Sequence, residues 1–184
     1  MAAPITTSPG TLTAGGGPAS VVFAFADAAD MSVLLRVGVA GVIFNNQTDA
    51  VGTTKSLGSP SGPIKFVLDN LSRGYSFVND QADTGPGGDG FFHAKYGTSP
   101  SDFGVTFSAA AINAIALLPG PVTLIGFEDR RRGDYDYNDL IFAVSLPQGA
   151  TVGVPEPASM AMLGLALMGA GALRRRHAGA SPQA

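Results

Sequence analysis

The chain has 184 residues, a formal net charge of −3 and 45% hydrophobic residues against 14% charged ones. That length holds one ordinary domain with a core plus tails, and a near-neutral charge with no basic stripe before the C-terminal arginines excludes the electrostatic footprint of a nucleic-acid binder. Cysteine is absent, which removes disulfides, thiol catalysis and cysteine-ligated zinc together, while 25 glycines and 13 prolines stay below the share expected of a disordered chain.

Residues 1–18 read as a flexible lead. The opening MAAPITTSPGTLTAGGGPAS has neither the basic n-region nor the apolar h-region of a secretory signal, and the apolar stretch after it is broken by Asp27, Asp30 and Arg36. No N-terminal signal peptide is visible, so the expectation is either a start further upstream or an unusual export route.

Short β-branched and aromatic runs bounded by Gly, Pro, Asn and Asp then recur: 20–26, 32–45 with a bend or split at Gly38 or Gly41, 63–70, 74–79, 91–96, 103–108, 121–128 and 139–146. Eight or nine short strands joined by turn-rich loops predict an all-β domain over 19–147, a β-sandwich or jelly roll. Alternation is imperfect in Lys65–Asp69 and Tyr75–Asn79, as in strands buried on one face and partly on the other. The one helical pattern is SAAAINAIALLPG (108–120), with Ser108 as N-cap and Pro119-Gly120 as stop.

The richest chemistry lies in GFEDRRRGDYDYNDLIF (126–142), which holds Glu128, Asp129, Asp134, Asp136 and Asp139 along with Asn138. Oxygen ligands at i, i+2 and i+4, here Asp134, Asp136 and Asn138, match the spacing by which a loop wraps a hard cation such as calcium. An EF-hand is excluded, because its sixth position is Asp139 rather than Gly and its twelfth is Leu146 rather than Glu. The competing reading is a hairpin in which Arg130, Arg131 and Arg132 offset the acids and Asn138 or Asp139 satisfies turn donors. Upstream, Asp80, Asp83 and Asp89 sit in a Gly-rich loop that either approaches Asp134 and Asp136 to complete a calcium site or stays solvated.

The string GFED, three arginines and GDYDYNDLIF is similar to the closing signature of the bacterial domain-of-unknown-function family 4114, an all-β domain of exported and surface proteins. GGDGFFHAKYG (87–97) resembles that family's Asp-Gly-x-x-His segment through Asp89, Gly90 and His93. This resemblance implies a surface location and no settled activity.

Residues 148–157 read as a linker ending in Pro155, Glu156 and Pro157. Residues 158–173 carry no charge; as a helix they would span about 24 Å, marginal against a hydrocarbon core of about 30 Å. Arg174, Arg175 and Arg176 follow as a cytoplasmic stop, heading a basic tail to residue 184. A core helix would need a polar face, and only Ser159 is polar. Pro-Glu-Pro, apolar span and Arg cluster in this order resemble the PEP-CTERM sorting signal of Gram-negative bacterial exported proteins. The resemblance implies processing by an exosortase, a transient membrane anchor, and a role at the cell surface or in an extracellular matrix with exopolysaccharide.

An enzyme is not expected. His93 adjoins Phe92 in a strand-like run and His177 falls in the tail, no nucleophile elbow, HExxH helix or phosphate loop is present, and Glu128 with Asp136 as a glycosidase pair is no more than any acidic hairpin offers. The alternative is a carbohydrate-binding module of the same fold, resting on Tyr75, Tyr96, Tyr135 and Tyr137 because the chain has no Trp.

Overall fold

A computed structural model describes residues 3–27, 29–146 and 152–153. The Pro155-Glu156-Pro157 motif, the apolar segment 158–173 and Arg174–Arg176 lie outside the described residues, among which no helix is long and apolar enough to cross a membrane.

The chain is all-β, with twelve strands among the described residues: β1 (Thr11–Gly15), β2 (Ala19–Phe25), β3 (Ser32–Arg36), β4 (Val42–Asn45), β5 (Thr54–Gly58), β6 (Ser61–Ile64), β7 (Phe66–Asn70), β8 (Tyr75–Val78), β9 (Ala94–Gly97), β10 (Val122–Phe127), β11 (Leu140–Ser145) and β12 (Val152–Gly153). A five-stranded antiparallel sheet runs β5-β2-β11-β10-β9, a four-stranded one runs β4-β3-β7-β8, and a small third sheet runs β12-β1-β6.

Period-two alternation makes the two larger sheets a sandwich. Val21 and Phe23 of β2, Ile125 and Phe127 of β10 and Phe142 and Val144 of β11 share a core with Leu34, Phe44, Phe66, Leu68 and Phe77 of the facing sheet. Aromatic rings interlock across it: Phe66 meets Phe142 edge-on at 4.8 Å, and Phe23 stacks on Phe44 at 5.3 Å. The opposite face of the five-stranded sheet is covered as well. Val22, Ala24, Leu124, Ile141 and Ala143 pack there with Phe103, Phe107, Ala111, Tyr135 and Tyr137. Burial on both faces is why β2 and β11 read as continuous apolar runs rather than alternating ones.

The helix α1 spans Ala109–Ala116, with the Ser108 side chain accepting from the Ala111 N–H, and it lies over that second face. The run 32–45 divides into β3 and β4, and the turn between them holds Gly38 and Gly41 at positive φ. Three expectations differ from the structure. The run 103–108 is not a strand: Pro100–Phe103 form a 3-10 turn, and Phe103 and Phe107 are instead buried side chains of the second layer. Residues 1–18, expected as a flexible lead, supply β1, which pairs with β6 and with β12 of the expected linker, and Ile5, which bridges to Phe92. Finally, β1, β5 and β6 raise the count above nine; they are Thr-, Ser- and Gly-rich and carry little β signal of their own.

Leu12 of β1 is fully buried in the sandwich core. Leu12→Ala is therefore expected to destabilise the protein by about 2–5 kcal/mol in chemical denaturation. A solvated lead would show no change.

Candidate functional site

The site grows from the end of β10. Its alternation continues past Phe127, so Asp129 follows Ile125 and Phe127 into the space between the sheets while Glu128 turns to the face occupied by Tyr135. Both carboxylates are buried. The Ser32 hydroxyl of β3 donates to Asp129 Oδ2 at 2.9 Å, the Asn70 side chain of β7 donates to the Asp129 carbonyl at 2.9 Å, and the Asp129 N–H donates to Asp139 Oδ2 at 2.8 Å. That last bond closes the base of the β10–β11 connection.

Above this base the chain folds tightly over Glu128. Arg132, Tyr135 and Tyr137 have φ of 57°, 54° and 62°, a left-handed conformation that non-glycine residues adopt at a cost of about 1–3 kcal/mol each. The conformation is held because both tyrosine rings are buried in the second layer while the Tyr135 N–H donates to Glu128 Oε2 at 2.9 Å. Gly133 is required here for a different reason: a Cβ at that position would collide with the Glu128 carboxylate.

Two groups of carboxylates result, both containing Glu128. Glu128, Asp134 and Asp136 offer oxygens within 4.8 Å of one another, as do Glu128, Asp129 and Asp139. Two oxygens on one calcium ion at about 2.4 Å cannot stand more than about 4.8 Å apart, so either group has the spread of a hard-cation ligand set. The local i, i+2, i+4 spacing is not what gathers them. Asp134 and Asp136 converge with Glu128 from the strand end, and Asn138 is engaged by Asp136, to whose Oδ2 its side-chain amide donates at 2.8 Å.

Arg130 and Arg131 direct their hydrogen bonds away from these acids. Arg130 Nε donates to Asp30 Oδ2 at 2.9 Å, and Arg131 grips Asp83 through Nε and Nη2 at 2.5 and 3.1 Å while lying over the Tyr75 ring. Among the described residues Glu128, Asp134, Asp136 and Asp139 form no salt bridge with Lys or Arg. Asp129 has Arg130 Nε 3.7 Å from Oδ1, beyond hydrogen-bonding reach, and that oxygen has no hydrogen-bond partner.

The loop carrying Asp80, Asp83 and Asp89 docks on the turn. Asp83 takes Arg131; Asp89 accepts from the Arg132 N–H at 3.1 Å, the Tyr135 hydroxyl at 2.9 Å and the Phe91 N–H at 3.1 Å, and it lies 3.2 Å from His93 Nε2. Asp80 pairs elsewhere, with Lys65 at 3.1 Å. Asp83, Asp89 and His93 also cluster, but their oxygens and ring nitrogens are already engaged: His93 stacks on Phe77, and its Nδ1 lies 3.2 Å from the Glu128 carbonyl. Asp89 thus orients Tyr135 and, through it, the backbone over Glu128.

Burial pushes Glu128 up to about 9, with the charges of Asp139 and Asp134 and a proton shared with Asp139 acting in the same sense and the Tyr135 N–H opposing them. Burial likewise lifts Asp139 to about 7 against the Asp129 N–H, and it raises Asp129 against the Ser32 hydroxyl and Asp136 against the Asn138 N–H. Asp89 moves oppositely: burial acts to raise it, but three donors hold it below the ordinary carboxylate range. The Tyr135 phenol is pushed up to about 12 by burial and by its bond to Asp89.

Of the four tyrosines considered as a sugar platform, Tyr135 and Tyr137 are buried, Tyr75 lies beneath Arg131, and the Tyr96 hydroxyl accepts from Asn79. Ser32, Asn70 and Asp30 complete the surroundings of the site. Each is more than 55 residues from the acidic motif, and nothing local in the sequence marks them.

The fold and site define a β-sandwich whose β10–β11 hairpin closes on an acidic turn with Glu128 and Asp129 buried at its base. Residues 64–147 match the family model described as a domain of unknown function (DUF4114), and residues 153–176 match the PEP-CTERM protein-sorting motif. Neither the curated proteins nor the solved structures contain a match. The sorting motif marks a surface-sorted protein processed by an exosortase, bound for the cell envelope or secretion and anchored transiently in the membrane. The DUF4114 segment carries β7 to β11 and every acid of the turn; β2, which hydrogen-bonds to β11 in the middle of the larger sheet, precedes it.

Acids raised on folding mean that the folded state binds the extra protons, so their stabilisation is full below the unfolded carboxylate range and is lost as pH rises through the folded values of about 7 and about 9. In chelator, the melting temperature is expected to fall between pH 6 and pH 9.5, a slope that Glu128→Gln flattens because the amide mimics the protonated acid. A flat wild-type profile across that range would remove the buried carboxyls from the stability of the fold.

Proposed function

We propose that this protein is a non-enzymatic component of the cell surface or extracellular matrix, associated with exopolysaccharide, whose β-sandwich is completed by calcium at the acidic turn. The observation that carries this reading is the direction of the arginines. Arg130 and Arg131 serve Asp30 and Asp83, leaving Glu128, Asp134, Asp136 and Asp139 without a cationic partner among the described residues. Glu128 is buried and Asp136 and Asp139 are half-buried, and carboxylates removed from water in that state are costly unless paired or bound to a metal, whereas Asp134 is exposed.

The donors are all carboxylate oxygens, which suit a hard ion, and no His or Cys joins either group. Glu128, Asp134 and Asp136 would hold calcium at the outer, partly exposed side of the turn. Its contribution is cohesion rather than chemistry: it would bind the strand end, the left-handed tyrosine segment and the docked loop into one unit. The non-enzymatic reading is supported by the burial of Glu128, which keeps its carboxyl from a bulky substrate, and by the engagement of both His93 ring nitrogens. The sorting motif supports the surface role, where the exterior supplies the ion.

Calorimetric titration of calcium into the chelator-treated protein, paired with melts in calcium and in chelator, tests this. Saturable binding is expected, with about 2.7 kcal/mol of stabilisation at one hundred times Kd and a melting shift of roughly 5–10 °C, both lost in Asp134→Asn/Asp136→Asn. No heat and superimposable melts would leave only a strained turn.

A further inference from the structure

We propose that the acidic turn holds two hard divalent cations rather than one, the second buried between the sheets on Glu128, Asp129 and Asp139, with Glu128 shared by both. The inference rests on the calcium reading above and goes beyond it in number, position and role.

The two triads share Glu128 and differ in exposure, Asp129 being fully buried and Asp139 half-buried in one, Asp134 exposed and Asp136 half-buried in the other. Asp134 and Asp136 keep contact with solvent, whereas Asp129 is buried where Ser32 of β3 and Asn70 of β7 contact it. The independent sign of a missing ligand is Asp129 itself. Its side chain is 0% exposed, and every other polar atom it has is engaged: its N–H by Asp139, its carbonyl by Asn70 and its Oδ2 by Ser32. Only Oδ1 lacks a partner. The nearest base, Arg130, is turned toward Asp30 with its Nε 3.7 Å away. A buried acceptor left unsatisfied in a native fold marks an absent partner, and within 4.8 Å the Asp129 carboxylate has two further carboxylates. A cation supplies what that oxygen lacks.

Charge points the same way. The five acids of the two triads carry five negative charges when ionised, of which one divalent ion cancels two and a pair cancels four. The inner ion would join β3 and β7 of one sheet to the β10–β11 connection of the other. It is therefore the ion that stabilises the sandwich, while the outer one orders the turn and exchanges with solvent.

Native mass spectrometry of the full chain, titrated with calcium after chelation, counts the ions directly. Two per chain are expected in the wild type, one in Asp129→Asn, one in Asp134→Asn/Asp136→Asn and none in Glu128→Gln. Terbium luminescence lifetimes in H2O and D2O give a second measure. The ion retained by Asp134→Asn/Asp136→Asn should carry fewer coordinated waters than the one retained by Asp129→Asn. If Asp129→Asn does not fold, the wild-type count and the water number of the Asp134→Asn/Asp136→Asn ion decide alone. A wild type saturating at one ion, or equal hydration of the two retained ions, overturns the inner site while the calcium reading stands; no ion at all defeats that reading itself.

Discussion

Two consecutive carboxylates at the end of β10 are carried into the interior because the strand that bears them is paired on both sides within the larger sheet and alternates faces to its last residue. Ile125 and Phe127 commit one face to the core between the sheets, so Asp129 follows them in and Glu128 faces the tyrosine layer. Ionised carboxylates in such surroundings must be compensated. Ser32 and Asn70 reach across from the facing sheet, Asp139 returns to cap the Asp129 N–H, and a backbone N–H held in a left-handed conformation is brought to Glu128. Most of the loop geometry is a response to this one burial.

The same constraint explains the distribution of basic residues. Three arginines follow the acids in sequence, yet Arg130 and Arg131 spend their hydrogen bonds outward, away from the strand end. Arg131 clamps the loop carrying Asp83, and Arg130 joins Arg73 on Asp30, so that the positive charge ties the periphery together and the negative charge remains concentrated at the centre.

Much of the architecture was legible in the amino-acid order. The runs that became β2, β3, β4, β8, β10 and β11 are dense in β-branched and aromatic residues because those strands are buried on one or both faces, and Ser108 marked the helix start because its hydroxyl can cap a backbone N–H. β1, β5 and β6 were not legible: Thr, Ser, Gly and Lys form strands there only because a neighbouring edge supplies hydrogen bonds. The run 103–108 misled for the converse reason, since Phe103 and Phe107 are apolar to cover a sheet rather than to belong to one.

By itself the sequence determined the fold class, the sorting tail and the residue types of the acidic turn, since composition, periodicity and short motifs are local properties. Only the tertiary structure decided what those acids face. Whether Arg130 and Arg131 turn toward them or away, which donors Asp89 engages, and whether the five acids form one group or two sharing Glu128 all depend on which side of a strand end each carboxylate leaves. That follows from the partners of β10 and from residues as distant as Ser32 and Asn70, whose nearness to Asp129 exists only once the sheets have packed.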